Sequence, residues 1–264
     1  MKRIYGEDVK RIQMEILDVV AAFCEANNIS YWIDSGTLLG AIRHKGYIPW
    51  DDDIDVGMLR PDFERFMELF NKENKKYKFH CIENNPNFYY AHGKVLDTDT
   101  VLYEPDINGY KLSINIDIFV YDNVPDDATA TKMYNKRDLF HKLHDGRVSL
   151  NVPQGKGIKP LLVRLLFRAI RIFPKNFFVK KMAQNARKYA KKETEFVGNF
   201  TSYTRMICAK SVFDDFIMAE FEGKKYKIPV GYDAWLRAFY GEYMRLPPEE
   251  KRVSHHRYEA YVHE

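Results

Sequence analysis

Four aspartates stand within five positions of this chain: Asp51, Asp52, Asp53 and Asp55. Around them lie Ile48, Pro49, Trp50, Ile54 and Val56, side chains that favour burial. As a solvated surface the cluster would need no explanation. In a half-buried strand, Asp53 and Asp55 point to the same side, and their repulsion calls for a cation or for protonation of one of them. A hard divalent ion such as Mg²⁺ accepts carboxylate and phosphate oxygens together. Asp117, between Ile116 and Ile118, is the natural third carboxylate, because Asp is otherwise depleted in strands. Three carboxylates around a divalent ion would suit phosphoryl transfer. Upstream, Asp34-Ser35-Gly36-Thr37-Leu38-Leu39-Gly40 reads as a turn of small residues entering a helix. Such a turn lets the backbone and the helix N-terminus approach a phosphate. Arg43, one turn or two on, can reach a phosphate bidentately. Asp51 shares the face of Asp53 by period and is a spare ligand, whereas Asp52 is expected to point away.

The elements that must position these groups follow from periodicity. Ile12, Ile16, Val19, Val20 and Phe23 predict a helix over 7–27, followed by a short strand at 29–33 and a helix over 35–43. The acidic cluster falls in a strand over 48–58. Pro61 opens a helix over 61–74 with Phe63, Phe66, Met67 and Phe70 on one face. Strands are expected at 77–82, 91–96, 101–104 and, most clearly, 112–121. There Leu112, Ile114, Ile116, Ile118 and Val120 alternate with Ser113, Asn115, Asp117 and Phe119. Helices are expected over 127–145, 160–173, 176–193 and 232–240. The stretch 151–159 is the best linker, which divides the chain into 1–150, the catalytic core, and 151–264, a basic region packed on it.

The chain has 264 residues, 45% hydrophobic and 15% aromatic, enough for a sizeable core. The greasiest segment, 161–173, is broken by Arg164, Arg168 and Arg171, which excludes a spanning helix there. The N-terminal residues carry no apolar signal region, and Cys24, Cys81 and Cys208 form neither zinc spacing nor a disulfide framework. These features predict a cytoplasmic protein with buried thiols. Net charge is +4, but thirteen Lys and Arg and no acid lie between Gly146 and Glu193. The rest of the chain carries 28 basic and 37 acidic residues, so one basic segment rides on an acidic body.

The stretch from Tyr31 to Val56, YWIDSGTLLGAIRHKGYIPWDDDIDV, resembles the LicD family, named for bacterial phosphocholine transferases and related to fukutin and fukutin-related protein. Weaker likeness extends to Gly93-Lys94-Val95-Leu96-Asp97, to Asp117-Ile118-Phe119 with Asp122, and to Gly241-Glu242-Tyr243-Met244 with Pro247, Arg252 and His255. The resemblance implies a nucleotidyltransferase-like α/β (α+β) fold: a small mixed sheet flanked by helices, with a mainly helical C-terminal part. It implies a Mg²⁺-dependent transfer, with Mn²⁺ as substitute ion, from a CDP-alcohol to a hydroxyl on a glycan or its lipid-linked precursor. Asp53 and Asp55 would hold the metal, and Asp117 would either complete the site or take the hydroxyl proton. Ser35, Gly36, Thr37 and Arg43 would hold the diphosphate, with Lys94 as a further charge on it.

In the phosphocholine version the donor is CDP-choline, and aromatic faces would receive its quaternary ammonium. Tyr89, Tyr90, Tyr103, Tyr110, Trp235, Tyr240 and Tyr243 are available. Two other classes stay open: a nucleotidyltransferase releasing pyrophosphate from an NTP, and a silent nucleotide-binding or membrane-docking protein. The basic segment 156–192 either packs on the body with a solvated face or docks on a membrane surface at the inner leaflet. No nucleic-acid motif accompanies it.

Overall fold

The computed structural model describes residues 1–104, 111–148, 157–254 and 258–263. Strand β1 (Lys2–Ile4) leads into helix α1 (Gly6–Ala26), and β2 (Trp32–Ile33) into α2 (Ser35–His44). Strand β3 (Asp55–Leu59) is followed by α3 (Arg60–Glu73), then β4 (Tyr77–His80), β5 (Gly93–Asp97), β6 (Thr100–Tyr103), β7 (Lys111–Leu112) and β8 (Asn115–Val124). Helices α4 (Asp127–Val148), α5 (Ile158–Ile170) and α6 (Phe177–Ala186) come next. Strands β9 (Phe196–Gly198), β10 (Ile207–Ala209), β11 (Phe216–Phe221) and β12 (Lys224–Pro229), helix α7 (Tyr232–Tyr240) and β13 (Glu259–Val262) complete the chain. The α/β class expected from the sequence is the class observed.

The central sheet has seven strands, and β8 is its axis. Its residues 117–121 run parallel to β3 on one side. On the other side β8 pairs antiparallel first with β5 and then with β9. A second sheet, β1-β13-β6-β7, and the hairpin β11-β12 flank it. The alternation read from the sequence explains why β8 holds the centre. Ile114, Ile116 and Ile118 are fully buried on the face packed against α1, while Asn115 and Asp117 remain at the cleft. Phe23 of α1 meets Phe66 and Phe70 of α3 edge-on, with ring centroids 5.6 and 5.0 Å apart. Each such buried ring contributes roughly 1.5–3 kcal/mol by leaving water. Arg60 at the start of α3 grips Asp122 of β8 with two hydrogen bonds of 2.7 Å, which fixes that helix against the strand it crosses.

Three differences from the sequence expectation have physical reasons. The strand expected over 48–58 begins only at Asp55, because the adjacent carboxylates and Pro49 disfavour a ladder. The strand expected at 112–121 is interrupted at Ser113-Ile114, where Thr100 intervenes: its Oγ1 accepts from the Ile114 N–H and its carbonyl accepts from the Ser113 side-chain hydroxyl. The C-terminal part is mainly helical to Tyr189, after which, among the described residues, five short strands, one α-helix and two short 3-10 turns follow. Of these strands, β9 and β10 extend the central sheet and β13 lies between β1 and β6, so both halves of the chain build the same sheets. The expected division at 150/151 and most of the linker fall outside the described residues. Among the described residues no helix is long and apolar enough to cross a membrane. Cys24 and Cys81 are buried, Cys208 is partly covered, and all three are free thiols.

Candidate active site

Strand register places the carboxylates. Asp55 and Asp117 are direct partners at the entry end of two parallel strands, so their side chains leave the sheet on the same face. The Asp117 N–H donates to the Ile54 carbonyl and the Asp34 N–H to the Asp55 carbonyl, each at 2.8 Å. These bonds lock the start of β3 between β8 and the turn before α2. Asp53 precedes β3 and opens with Asp51, Asp55 and Asp117 onto one cleft of about 520 Å³. Asp52 turns to a neighbouring cavity, where its Oδ2 accepts a hydrogen bond from Ser254 at 2.9 Å. Among the described residues no three His, Cys, Asp or Glu side chains close into a ready-made metal cluster. The donor set is nevertheless the kind a hard divalent ion takes: carboxylates on one cleft wall, repelling one another.

The two paired aspartates differ sharply in charge environment. Burial raises the Asp55 carboxyl well above its ordinary range, and Asp53, Asp117, Asp34 and Asp51 push it the same way. Burial would also raise Asp117, but His92 and Lys94 outweigh it and hold that carboxyl below its ordinary range. His92 Nε2 lies 2.9 Å from Asp117 Oδ2. The Lys94 ammonium pairs with Asp117 Oδ1 and donates to Asn115 Oδ1 at 3.0 Å. Lys94 is the antiparallel partner of Asp117 across β5 and β8, so sheet register delivers its charge to this carboxylate. Behind them Asp34 is fully buried. Burial pushes its carboxyl up to about 6 against the help of the Tyr121 hydroxyl, which donates to Oδ2 at 2.8 Å.

The turn before α2 divides its work. Ser35 adopts a left-handed backbone, φ 46°, a conformation costly for a residue with a side chain and frequent at functional sites. A Cβ at Gly36 would lie 2.5 Å from Asp51 Oδ2, so only glycine lets that carboxylate come so close to the helix start. Ser35 and Gly36 line the cleft. Thr37 is buried instead, and its hydroxyl accepts the Asp55 N–H at 2.9 Å, steadying the strand that carries the acid. Arg43 lies on the next cavity and donates to the Tyr243 carbonyl at 2.7 Å.

Two further cavities adjoin the cleft. One, of about 650 Å³, shares Gly36, Asp51 and Tyr240 with it and is lined by Arg43, Arg245, Arg252 and Trp50. The Arg252 guanidinium lies 5.7 Å from the Trp50 ring centre. The other, of about 250 Å³, shares Asp53, His92, Asp117 and Tyr203 and adds Tyr90, Tyr258 and Glu104. There the Tyr90 hydroxyl donates to Glu104. Of the aromatic residues singled out in the sequence, Tyr90, Tyr240 and Tyr243 reach these cavities. Trp235 is core and Tyr103 packs edge-on against Tyr261 on the second sheet. Tyr110 and His255 lie outside the described residues. His92, Tyr203, Tyr258 and Arg245 escaped the sequence reading. For His92 a signal existed, since it stands two places before Lys94 and alternation sends both to one face. The others sit in irregular segments with no pattern to read.

Comparison with known proteins bears on the family of the chain. The sequence profile described as LicD/FKTN/FKRP, nucleotidyltransferase domain, matches residues 28–146. The lipopolysaccharide cholinephosphotransferase LicD of Haemophilus influenzae is 34% identical over 275 residues, covering 99% of this chain and 100% of its own. An uncharacterized protein of Rickettsia typhi is 58% identical over 93 residues, 32% of this chain and 30% of that one. The human ribitol 5-phosphate transferase FKRP is 42% identical over 63 residues, 24% of this chain and 13% of its own. Likeness that runs the full length of a chain, with the paired aspartates inside the matched region, has one reading: this protein belongs to the LicD family.

Proposed function

We propose that this protein transfers a phospho-alcohol group, phosphocholine above the alternatives, from a CDP-linked donor to a hydroxyl of a cell-surface glycan or its lipid-linked precursor. The observation that carries the reading is the unequal pair at the heads of β3 and β8. One carboxylate is crowded by others, the second is already neutralised, and both face a cleft between an arginine-lined and a tyrosine-lined cavity. Full-length similarity to a cholinephosphotransferase supports it.

Asp53 and Asp55 would hold Mg²⁺, with Asp117 beside them. Bound there, the ion would neutralise the phosphate oxygens of the donor. The protein's own groups do the rest. The Ser35-Gly36 turn offers small residues where the diphosphate must approach. Arg43, Arg245 and Arg252 supply fixed positive charge for the nucleotide half, and Trp50 a ring face. Tyr90, Tyr203 and Tyr258 with Glu104 make the opposite cavity suited to a quaternary ammonium, which binds to aromatic faces and to nearby negative charge. Lys94 and His92 hold the Asp117 carboxyl below its ordinary range, and so acidic a group is a weak proton acceptor, which favours a place beside the ion over taking the acceptor proton. We place the reaction in the cytoplasm, where three unpaired thiols persist.

The test is donor turnover with Mg²⁺ across CDP-choline, CDP-ribitol, CDP-glycerol, CTP and ATP, with a cell-envelope glycan extract as acceptor. CMP release from CDP-choline that disappears in Asp53→Asn is the expected result. CMP from another CDP-alcohol alone would replace choline and keep the transferase. Pyrophosphate from an NTP would overturn the reading in favour of nucleotidyl transfer.

A further inference from the structure

Helix α5 departs from the usual burial of an amphipathic helix. Of its thirteen residues only Ile170 is buried. Ile158 is 76% exposed, Leu162 58% and Leu165 50%, and Leu161 and Leu166 are exposed to nearly the same degree. At 100° per residue these five fall on one face, with Ala169. The opposite side holds Val163, Phe167 and Ile170, and it is pinned to the body. A Cβ at Gly146 of α4 would meet Ile170 Cδ1 at 2.9 Å and Phe167 Cε1 at 3.0 Å. The Arg147 guanidinium donates to the Phe173 carbonyl at 2.8 Å, holding the far end of α5 as well. The leucine face therefore points outward because its opposite face is the one seated, and Ile172, 84% exposed, prolongs it.

We infer that α5 is a membrane-docking helix, which lays its leucine face into an anionic lipid surface. Contiguous exposed apolar side chains of this extent mark a partner site. The charge around them names the partner. Arg164, Arg168 and Arg171 run along one border of the apolar face, and Lys159 stands on the other. Thirteen Lys and Arg and no acid lie between Gly146 and Glu193, although the remainder of the chain is net acidic. A protein partner would commonly offer charges of both signs. An anionic bilayer matches apolar side chains with a uniformly cationic rim, whose long stems reach back to the headgroups.

The placement gives the docking a consequence. The end of α4 that supports α5 also lines a cavity of about 100 Å³, through His144, Asp145 and Val148. That cavity shares His92 and Tyr203 with the catalytic cleft. Docking through α5 would thus anchor the protein by the helix that packs on this wall of the cleft. The inference stands apart from the choice of donor.

The experiment is flotation of the purified full chain with vesicles of phosphatidylcholine alone and with vesicles containing phosphatidylglycerol. The wild type is expected to partition into the anionic vesicles about tenfold more than into the neutral ones, and less as salt rises. Leu162→Glu with Leu165→Glu should lower that partitioning about tenfold or more, and Arg168→Glu with Arg171→Glu should erase the preference for anionic lipid. All these residues are exposed, so thermal melts of the variants should match the wild type. Absence of flotation with anionic vesicles would overturn the proposal, as would variants that float like the wild type. So would a concentration-dependent dimer, seen by sedimentation and lost in the leucine variant, because a second copy would then cover the face.

Discussion

Asp55 and Asp117 are neighbours in register, on parallel strands, at the same cleft, yet they live in opposite fields. The β3 side gathers Asp51, Asp53 and Asp55 with Asp34 behind them, and burial and mutual repulsion raise Asp55. The β8 side receives Lys94 from the next strand and His92 from just before it, and Asp117 is held ionised. The difference teaches how one fold holds several carboxylates at one cleft. One wall crowds carboxylates together, so burial and repulsion raise Asp55. The other carries its own counter-charge, so the folded chain tolerates the cluster.

The comparison can be broken by substituting each side in turn. The largest effect belongs to Asp55→Asn: transfer should fall about a thousandfold or more, the scale of losing a principal charge-stabilising group. Its melting temperature in a chelator should nonetheless equal or exceed the wild type, because a repelled carboxylate has been removed. A clear drop in stability would show that the β3 side is not the strained one. Asp117→Asn should behave in the reverse sense. It strands Lys94 and His92 without their counter-charge and should cost about 3 kcal/mol in urea unfolding. A neutral result would mean that the pair adds nothing to the β8 side.

Acidity sharpens the same contrast. The Asp34 carboxyl, pushed up to about 6 in the folded protein, has an ordinary value of 3.8. The folded state therefore binds the proton more tightly than the unfolded chain, and acidification favours folding. The penalty is fully present above pH about 6 and vanishes as pH falls toward about 4. Asp34→Asn lacks that penalty, and its amide oxygen can still accept the Tyr121 hydroxyl. It should be more stable than the wild type at pH 7 by on the order of 2–3 kcal/mol, with the two converging near pH 4. Differential scanning of both proteins across this range measures the gap, and a gap that widens on acidification would reverse the assignment. The smallest effect is expected of Gly36→Ala. Its Cβ must displace the Asp51 carboxylate, 2.5 Å away, and donor turnover should fall about tenfold with a melt shifted only slightly.

Much of this arrangement was legible in the chain because it is local. Helix α7 has the bounds its periodicity predicts, Tyr232–Tyr240, and α3 opens with Pro61 in its first turn. The alternation around Asp117 shows an acid on the polar side of a buried strand before any fold is known. The Asp53-Ile54-Asp55 spacing brings two carboxylates to one cleft even though Asp53 lies outside the strand. The site's flanks were less legible. Lys94 reads as a charge for a phosphate, and the structure sets it against Asp117. Thr37 reads as part of a phosphate turn, and the structure turns its hydroxyl inward to the Asp55 backbone. Tyr203 and Tyr258 come from irregular segments on either side of α7 and meet only because the C-terminal strands fold back into the same sheets.

The sequence by itself determined which residues carry charge and how they recur along the chain. The aspartate cluster, the acid among the isoleucines of β8 and the leucine-arginine helix α5 are all properties of neighbours in the chain. Tertiary structure alone decided which charges face each other: that Asp117 has a lysine and a histidine while Asp55 has other carboxylates. Likewise only the packing of α5 against Gly146 decided which of its faces is left outward. The physical reason is that charge interaction and burial depend on distance through space. Residues 23 positions apart, such as Lys94 and Asp117, become partners only when antiparallel register aligns them.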